Sequence, residues 1–466
     1  MITGRWLCRN GGASGEDFAK WGRSGNMSEI TVCLIIAVVT MILFIGRVFP
    51  MALTSVLCAL AMGICLPSVK LSAIYSGFGT APVYMIAGMT IVGDALFQTG
   101  VAQKIGITLS KMKIFQSERI FTVMVVVVCT LMSAFMSDSG CIAMWMPIIA
   151  AVAAGSKGKI RSKMVIMPAG IACIVGGATT LVGSTSQNTA NSFLMQVPGF
   201  ESGMGVFDMT SVMWMVDVLM VLYFATIGYT ITKKTLKPGS PHFDDGNVFA
   251  QSSEELDNVP QASTRKQVIS VFTLLLCILG FILCGFAPFN KYLNIANVAL
   301  IGASILFVTK TIDYKTTLKN IGWDVLLTVG FIATLGVALE KTGAGKLIAE
   351  QTLAFFGGED ASLQVILCVM FVLGSFLTLF MSNVAVSAML APIYIPLAQR
   401  MGLSPAPFII LIAIASNMAI ATPIGTPVNM QILPAGYKFS DYVKIGGPLW
   451  LIFVIAVCLT AKGILF

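Results

Sequence analysis

Charged residues are scarce in this chain. Asp, Glu, Lys and Arg make up 11% of its 466 residues and apolar residues 56%, whereas soluble domains carry about 25% charged residues. A soluble globular fold is thereby excluded. Histidine is nearly missing: His242 is the only one and falls in a polar stretch where solvent exposure is expected, so histidine-dependent catalysis and histidine metal centres are not anticipated. The eleven cysteines form no CxxC pair and lie mainly in apolar segments. That leaves neither a disulfide framework nor a zinc site and reads as packing. No Gly-rich phosphate loop is present, hence no ATP-driven motor is expected. Residues 1–26 lack the apolar core of about 7 to 15 residues that a cleaved signal peptide needs. This polar, Gly-rich tail is expected to be disordered, with Met27 as an alternative start. The formal charge of +8 does not call for a nucleic-acid partner, because most basic residues sit in short loops between apolar segments.

What the chain has instead is a succession of apolar segments from residue 30 to its end, many long enough to cross about 30 Å of hydrocarbon as helices. Seven precede a polar linker at 232–267 and seven follow it. The halves also resemble each other. At an offset of 245, FMSDSGCIAMWMPI (135–148) lies over FMSNVAVSAMLAPI (380–393); at 243, GDALFQTGVAQKI lies over GVALEKTGAGKLI, pairing Gly93 with Gly336. A third pair, LVGSTSQN and PIGTPVN, matches Gly183 with Gly425 and Asn188 with Asn429. Three matches in one order at nearly one offset argue for an internal duplication.

The fourth and fifth segments of each half are separated only by Ser-Asp-Ser-Gly or Ser-Asn-Val. Two full spans cannot turn so tightly at a surface bare of charge, so each pair is expected to be a re-entrant helical hairpin with its tip inside the membrane, where irregular backbone must line a protein cavity. Five spans then remain per half, and an odd number inverts the second copy. The expected fold is an all-α polytopic membrane protein of two inverted-topology repeats, each of five transmembrane helices plus one re-entrant hairpin. Its parts are a tail (1–29), a first repeat (30–231, scaffold helices 30–118, hairpin and broken helix 119–231), a cytoplasmic linker (232–267) and a second repeat (268–466, scaffold 268–358, hairpin and broken helix 359–466). If residue 30 starts outside, 19 basic residues fall in cytoplasmic loops and 6 on the opposite side, apart from four in the tail. That bias predicts a multi-pass plasma-membrane protein with both termini outside.

The segments after the hairpins are interrupted as well, at GGATTLVGSTSQNTANSF (176–193) and IATPIGTPVNMQIL (420–433). Gly, Pro, Ser, Thr and Asn suit unwound backbone beside a polar site. Four broken elements should therefore meet near the midplane. Helix N-termini there attract anions, and free carbonyls coordinate cations.

The duplicated hairpin tips followed by the GS and GTPVN breaks resemble the divalent anion:sodium symporter family of the ion transporter superfamily, from about residue 30 onward. The resemblance implies a homodimeric secondary active transporter of small anions (di- or tricarboxylate or sulfate), working by an elevator-type alternating-access motion. It implies no cofactor beyond a coupling ion, Na⁺ or H⁺. Position by position, one Na⁺ site maps to Ser133, Ser137, Asp138 and Gly183, and the other to Thr378, Asn383, Gly425 and Pro427. Substrate contacts map to Asp138, Ser139, Ser184, Ser382, Asn383, Val384, Thr426 and Pro427. The family's tips carry Ser-Asn-Thr, whereas here they read Ser-Asp-Ser and Ser-Asn-Val. Both changes remove donors to an anion. An ionised Asp138 at that depth costs several kcal/mol unless paired or neutralised, and its partner could be Na⁺, a proton or a cationic group on the substrate.

Other readings stay open at this level. Proton-coupled or exchange-type carboxylate transport would use the same site. An intramembrane aspartyl protease would need Asp138 with Asp94 or Asp217 in one cavity, and a channel would need only the hairpins. Asp94 and Glu340 are expected near the membrane surface in structural roles, while that of Asp217 is open. The SKGKIRSK run (156–163) reads as a solvated cytoplasmic turn, and residues 100–118 as an interfacial helix.

Overall fold

The computed structural model describes residues 28–46, 48–101, 104, 117–156, 159–236, 262–284, 292–321, 323–355, 362–423 and 425–466. The expected tail, most of the linker with His242 and most of the stretch 100–118 lie outside these residues. Those described contain helices and turns but no β-strand.

In the first half the α-helices are α1 (Glu29–Gly46), α2 (Met51–Cys65), α3 (Ala81–Gln98), α4 (Glu118–Ser133), α5 (Asp138–Gly155), α6 (Ser162–Gly177), α7 (Thr185–Leu194), α8 (Thr210–Ala225) and α9 (Ile227–Thr235). The second half holds α10 (Thr264–Leu283), α11 (Ile295–Val308), α12 (Tyr314–Asn320), α13 (Trp323–Thr342), α14 (Ala344–Phe355), α15 (Leu363–Leu377), α16 (Asn383–Arg400), α17 (Pro405–Ala415), α18 (Pro427–Ile432) and α19 (Phe439–Leu465). Polar residues at the starts fix several boundaries. Asn294, Ser382, Ser404 and Thr426 accept backbone N–H groups in the first turns of α11, α16, α17 and α18, removing orphan donors that apolar surroundings would leave unpaired.

Among the described residues, only Thr264–Phe281, Trp323–Thr342 and Phe439–Leu465 are single helices long and apolar enough to cross a membrane; α8 and α9 add a pair bent by 53°. Other apolar helices, such as α2, α4 and α11, have 14 to 16 residues, and the runs after the two tips are interrupted as expected. The run 164–194 is two helices, α6 and α7, with residues 178–184 between them.

The packing is reciprocal. Helix α3 lies on α11 and α2 on α13, while α7 lies on α16 and α5 on α18. By their starting residues, α11 follows α2 by 244, α13 follows α3 by 242, α16 follows α5 by 245 and α18 follows α7 by 242. Each of these four contacts between halves therefore has a counterpart with the roles exchanged, as a two-fold relation produces. At the centre, α6 and α17 are buried along nearly their whole length, which is why both are apolar on all faces.

The base of the α4–α5 pair is anchored by charge. Glu118 accepts from the backbone N–H of Arg161 (2.9 Å), its Nε (3.0 Å) and Nη2 (2.8 Å), and from Tyr229 Oη (2.9 Å). The SKGKIRSK run is thus not a freely solvated turn: Arg161 is fastened to α4, and Lys163 is buried.

Candidate functional site

The α4–α5 turn, the α6–α7 break, the α15–α16 turn and the α17–α18 break meet at one cavity of about 710 Å³, lined also by residues of α2, α3 and the start of α13. Ser137, Asp138, Ser139, Gly183, Ser184, Ser382, Asn383, Val384, Gly425 and Pro427 line it. Ser133, Thr378 and Thr426 do not line it; they are buried behind the wall. Thr426 serves as the cap of α18, accepting from Asn429 N–H at 3.2 Å.

Side chains replace the hydrogen bonds that the broken helices lose. At the first break, Ser133 Oγ donates to Cys173 O (2.6 Å), Thr180 Oγ1 donates to Ala134 O, and Gln187 Nε2 donates to Gly177 O (2.6 Å) and Thr180 O (2.9 Å). At the second, Thr378 Oγ1 contacts Ser416 O (2.6 Å), Thr422 Oγ1 donates to Leu379 O, and Asn429 Nδ2 donates to Ala419 O and Thr422 O (both 2.7 Å). Bond for bond, the two breaks match. The match corrects one pairing made from sequence: Asn429 takes the place of Gln187, not of Asn188. Asn188 instead donates from Nδ2 to Leu181 O (2.9 Å) and Ser184 O (3.2 Å).

Glycine lets oxygens converge here. A Cβ on Gly183 would strike Ser133 O and come within 2.5 Å of Gly177 O; one on Gly425 would strike Thr378 O. A Cβ on Gly177 would lie 3.3 Å from Ser133 Oγ, 3.4 Å from Asp138 Cβ and 3.5 Å from Gly183 O. The bare face of Gly177 is therefore ringed by a hydroxyl, a carbonyl and the root of a carboxylate side chain. Asp138 Oδ1 accepts from Ser139 N–H at 2.7 Å, which fixes its rotamer. Hard oxygen donors around unwound backbone are chemistry suited to a small cation.

The second cage is neutral and joins the halves. Thr378 Oγ1 lies 2.9 Å from Asn383 Oδ1; Asn383 Nδ2 donates to Asn417 Oδ1 (3.1 Å); and Asn417 Nδ2 donates to Ser186 Oγ on α7 and to Ala413 O (both 2.8 Å). Asn417 and Ser186 are fully buried, and sequence reasoning missed both. Replacing Asn417 with Leu strands several polar groups, so the protein is expected to lose about 2 to 3 kcal/mol of stability. A melting curve in detergent checks this, with an unchanged midpoint counting against the network.

Among its described lining residues the cavity has the carboxylates Asp94, Asp138 and Asp324, and no Lys, Arg or His. First-turn residues of α2, α5, α7, α13, α16 and α18 line it, and helix N-termini supply partial positive charge. Asp94, expected near the surface, lines the cavity and accepts from Gln98 Nε2 at 2.6 Å. Asp217 is not in the lining. Glu340 lines a smaller cavity of about 470 Å³ at the other end of α13, together with Phe193, Gln196, Lys346 and Arg400. Asn188 Oδ1, Gln187 Oε1 and Asn429 Oδ1 are buried without a partner. Because each amide nitrogen is held by two carbonyls, these oxygens are fixed as acceptors. The sulfurs of Cys129, Cys141 and Cys173 lie within 4.8 Å of one another behind the first tip.

The sequence profile of a family described as citrate transporters matches residues 41–298 and 287–466. The chain is 37% identical to the uncharacterized transporter YfbS of Escherichia coli over 169 residues, covering 36% of this chain and 27% of that protein. It is 26% identical to an uncharacterized transporter of Haemophilus influenzae over 437 residues, 89% of this chain and 88% of the other. A match of 24% identity over 365 residues links it to the sodium-dependent high-affinity dicarboxylate transporter 3 of Caenorhabditis elegans, covering 69% and 63%. Its fold is similar to the crystal structure of the Alcanivorax borkumensis YdaH transporter, with a TM-score of 0.61 at 16% identity over 84% of this chain and 87% of that one.

Proposed function

We propose, from the premise that this chain belongs to the citrate transporter family, that it is a secondary active transporter moving small di- or tricarboxylates or sulfate together with Na⁺. The observation that carries this reading is the meeting of two turns and two breaks, matched bond for bond, around one cavity. One Na⁺ is assigned to the ring of Ser133, Ser137, Asp138 and Gly183, and another to Thr378, Asn383, Gly425 and Pro427. The anion is assigned to the space between the tips, against Asp138, Ser139, Ser184, Ser382, Asn383, Val384, Thr426 and Pro427. Thr426 would act through the cap it forms. Na⁺ beside Asp138 offsets the charge of the carboxylate and of the incoming anion, which a cavity with no basic side chain among its described lining residues needs. The sodium-dependent dicarboxylate transporter among its relatives supports the choice of ion. Proton coupling or anion exchange through the same residues is the second reading, favoured by the same carboxylate.

The reciprocal packing supports two inverted repeats with re-entrant hairpins, one at α4–α5 and one at α15–α16, and a homodimer that moves by an elevator-like step is part of the same proposal. Asp94 near the end of α3 and Asp324 at the start of α13 line the large cavity, and in the chain they lie close to Lys104 and Lys319, on the side assigned to the cytoplasm by charge, so the cavity is read as facing the cytoplasm. The paired glycines support alternating access. A Cβ on Gly93, at the open cavity, would meet nothing within 4 Å, whereas one on Gly336 would lie 2.7 Å from Phe193 Cδ1 and 2.9 Å from Gln196 Oε1. Exchanging the two environments gives the opposite state. Gly336→Leu is therefore expected to expose a cysteine placed at Ser139 to reagents from the far side, and Gly93→Leu to leave it reachable only from the cavity side. Equal labelling patterns for the two variants would contradict this.

Thermal shifts of purified protein with citrate, succinate and sulfate, with and without Na⁺, test the function. A ligand at 100 times its Kd stabilises by about 2.7 kcal/mol, so a bound anion should raise the melting point and do so more with Na⁺. No shift with any anion counts against the proposal.

A further inference from the structure

We propose that Asp217, outside the substrate cavity, is a proton-binding site whose occupancy sets the geometry of the first break; this rests on the transporter reading. Asp217 lies in the middle of α8 and faces the break between α6 and α7. Its Oδ2 is 2.9 Å from Thr179 Oγ1, and its Oδ1 is buried with no partner. Two turns earlier on the same helix face, Thr210 Oγ1 donates to Thr179 O at 2.7 Å. One residue of the break is thus held twice by α8.

The hydrogen-bond arithmetic favours a site that gains and loses a proton. With the proton on Asp217 Oδ2, the carboxyl donates to Thr179 Oγ1, and the Thr179 hydroxyl turns its own hydrogen to Val175 O, 3.5 Å away in the last turn of α6. Without it, Thr179 must donate to the carboxylate and release Val175. The residue after Thr179 is Thr180, whose hydroxyl holds Ala134 O of the first tip and whose carbonyl accepts Gln187. A proton on Asp217 is therefore two residues of backbone away from the wall of the cation cage.

No other charge is placed to hold Asp217 ionised. On α4 and α6, the titratable side chains are Glu118, Arg119, Cys129, Lys163 and Cys173. On α9 and α19 they are Tyr229, Lys233, Lys234, Asp441, Tyr442, Lys444, Cys458 and Lys462, and on α8 itself Tyr223. Glu118 is committed to Arg161 and Tyr229; Asp441 accepts the N–H of Lys438; and the lysines sit in end turns of their helices, except Lys444 in the second turn of α19. Among the described residues, only Thr179 is hydrogen bonded to Asp217, and no ion pair includes it.

The second half shows what the same joint looks like without a carboxyl. Gly446 of α19 follows the start of its helix by as many residues as Asp217 follows the start of α8. A Cβ there would strike Ile420 O and lie 3.1 Å from Ala421 Cα, and these positions match Ala178 and Thr179. That break rests directly on the backbone of α19. In the first half a carboxyl and a hydroxyl take the place of this contact, so only one of the two breaks can respond to a proton.

The test is anion counterflow in proteoliposomes, with citrate, succinate and sulfate as probes, across pH at saturating Na⁺. Wild-type counterflow should change about fivefold or more with pH, the scale of ordinary coupling; Asp217→Asn and Thr179→Val should each flatten the profile while still requiring Na⁺. Infrared difference spectra between acid and alkaline samples provide a second readout, independent of turnover: a carboxylic-acid carbonyl band present in wild type should be lost in Asp217→Asn. A wild-type pH profile in Asp217→Asn, or an unchanged carbonyl band, overturns the proposal. Absence of counterflow in wild type at every pH overturns the transporter reading itself, and the coupling with it.

Discussion

Replacing Asp138 with Asn is expected to raise the Na⁺ concentration for half-maximal uptake about 30-fold, the equivalent of ~2 kcal/mol of lost charge pairing. Asp138 is the one charged member of the ring around Gly177, and its Oδ1 is already fixed by the N–H of Ser139. The Asn side chain keeps an oxygen for that bond and loses only the charge. Its counterpart in the second tip, Asn383, shows that an amide fits such a position. Sodium titrations of uptake decide the matter. An unchanged Na⁺ requirement would remove Asp138 from the cation site, and a changed pH profile with unchanged Na⁺ dependence would favour proton coupling there.

Gly183→Ala and Gly425→Ala are expected to weaken Na⁺ binding by about 10- to 100-fold, because overpacking a rigid wall costs about 1 to 3 kcal/mol. The added methyl group would meet the Ser133 carbonyl in one case and the Thr378 carbonyl in the other, so the break must move away from the tip it faces. Gly463→Ala is the control, since a Cβ there meets nothing within 4 Å. Uptake assays and melting curves on the three variants should show loss in the first two and none in the third. Wild-type Na⁺ affinity in Gly183→Ala would show that the close approach of the break and the tip is not what forms the site.

The tips were legible in the sequence because their polar residues interrupt an apolar run and recur 245 residues later. The wall residues Ser137, Asp138, Ser382 and Asn383 follow from that recurrence. The fine register of the breaks did not: Asn429 resembles Asn188 in type, yet its side-chain nitrogen reaches the two carbonyls that Gln187 reaches in the first half. Residue type was a poor guide because a longer Gln at one position and a shorter Asn at the other span the same gap. Nor could sequence reveal Asn417 and Ser186, which are 231 residues apart and meet only through the packing of the halves. That Asp94 lines the cavity was not legible either. A charge near a helix end says nothing of the cavity that the end of α3 borders. The unwound turn between α6 and α7 was legible, because Gly, Ser, Thr and Asn interrupt the apolar run there.

The central claim is that Na⁺ and a small anion occupy one cavity and cross together. It is tested most directly by following radiolabelled sodium into proteoliposomes on addition of citrate, succinate or sulfate. At least one anion is predicted to drive saturable sodium entry, which Asp138→Asn shifts to higher sodium concentration. Sodium entry indifferent to every anion, or a current that rises linearly with voltage and never saturates, would contradict the account.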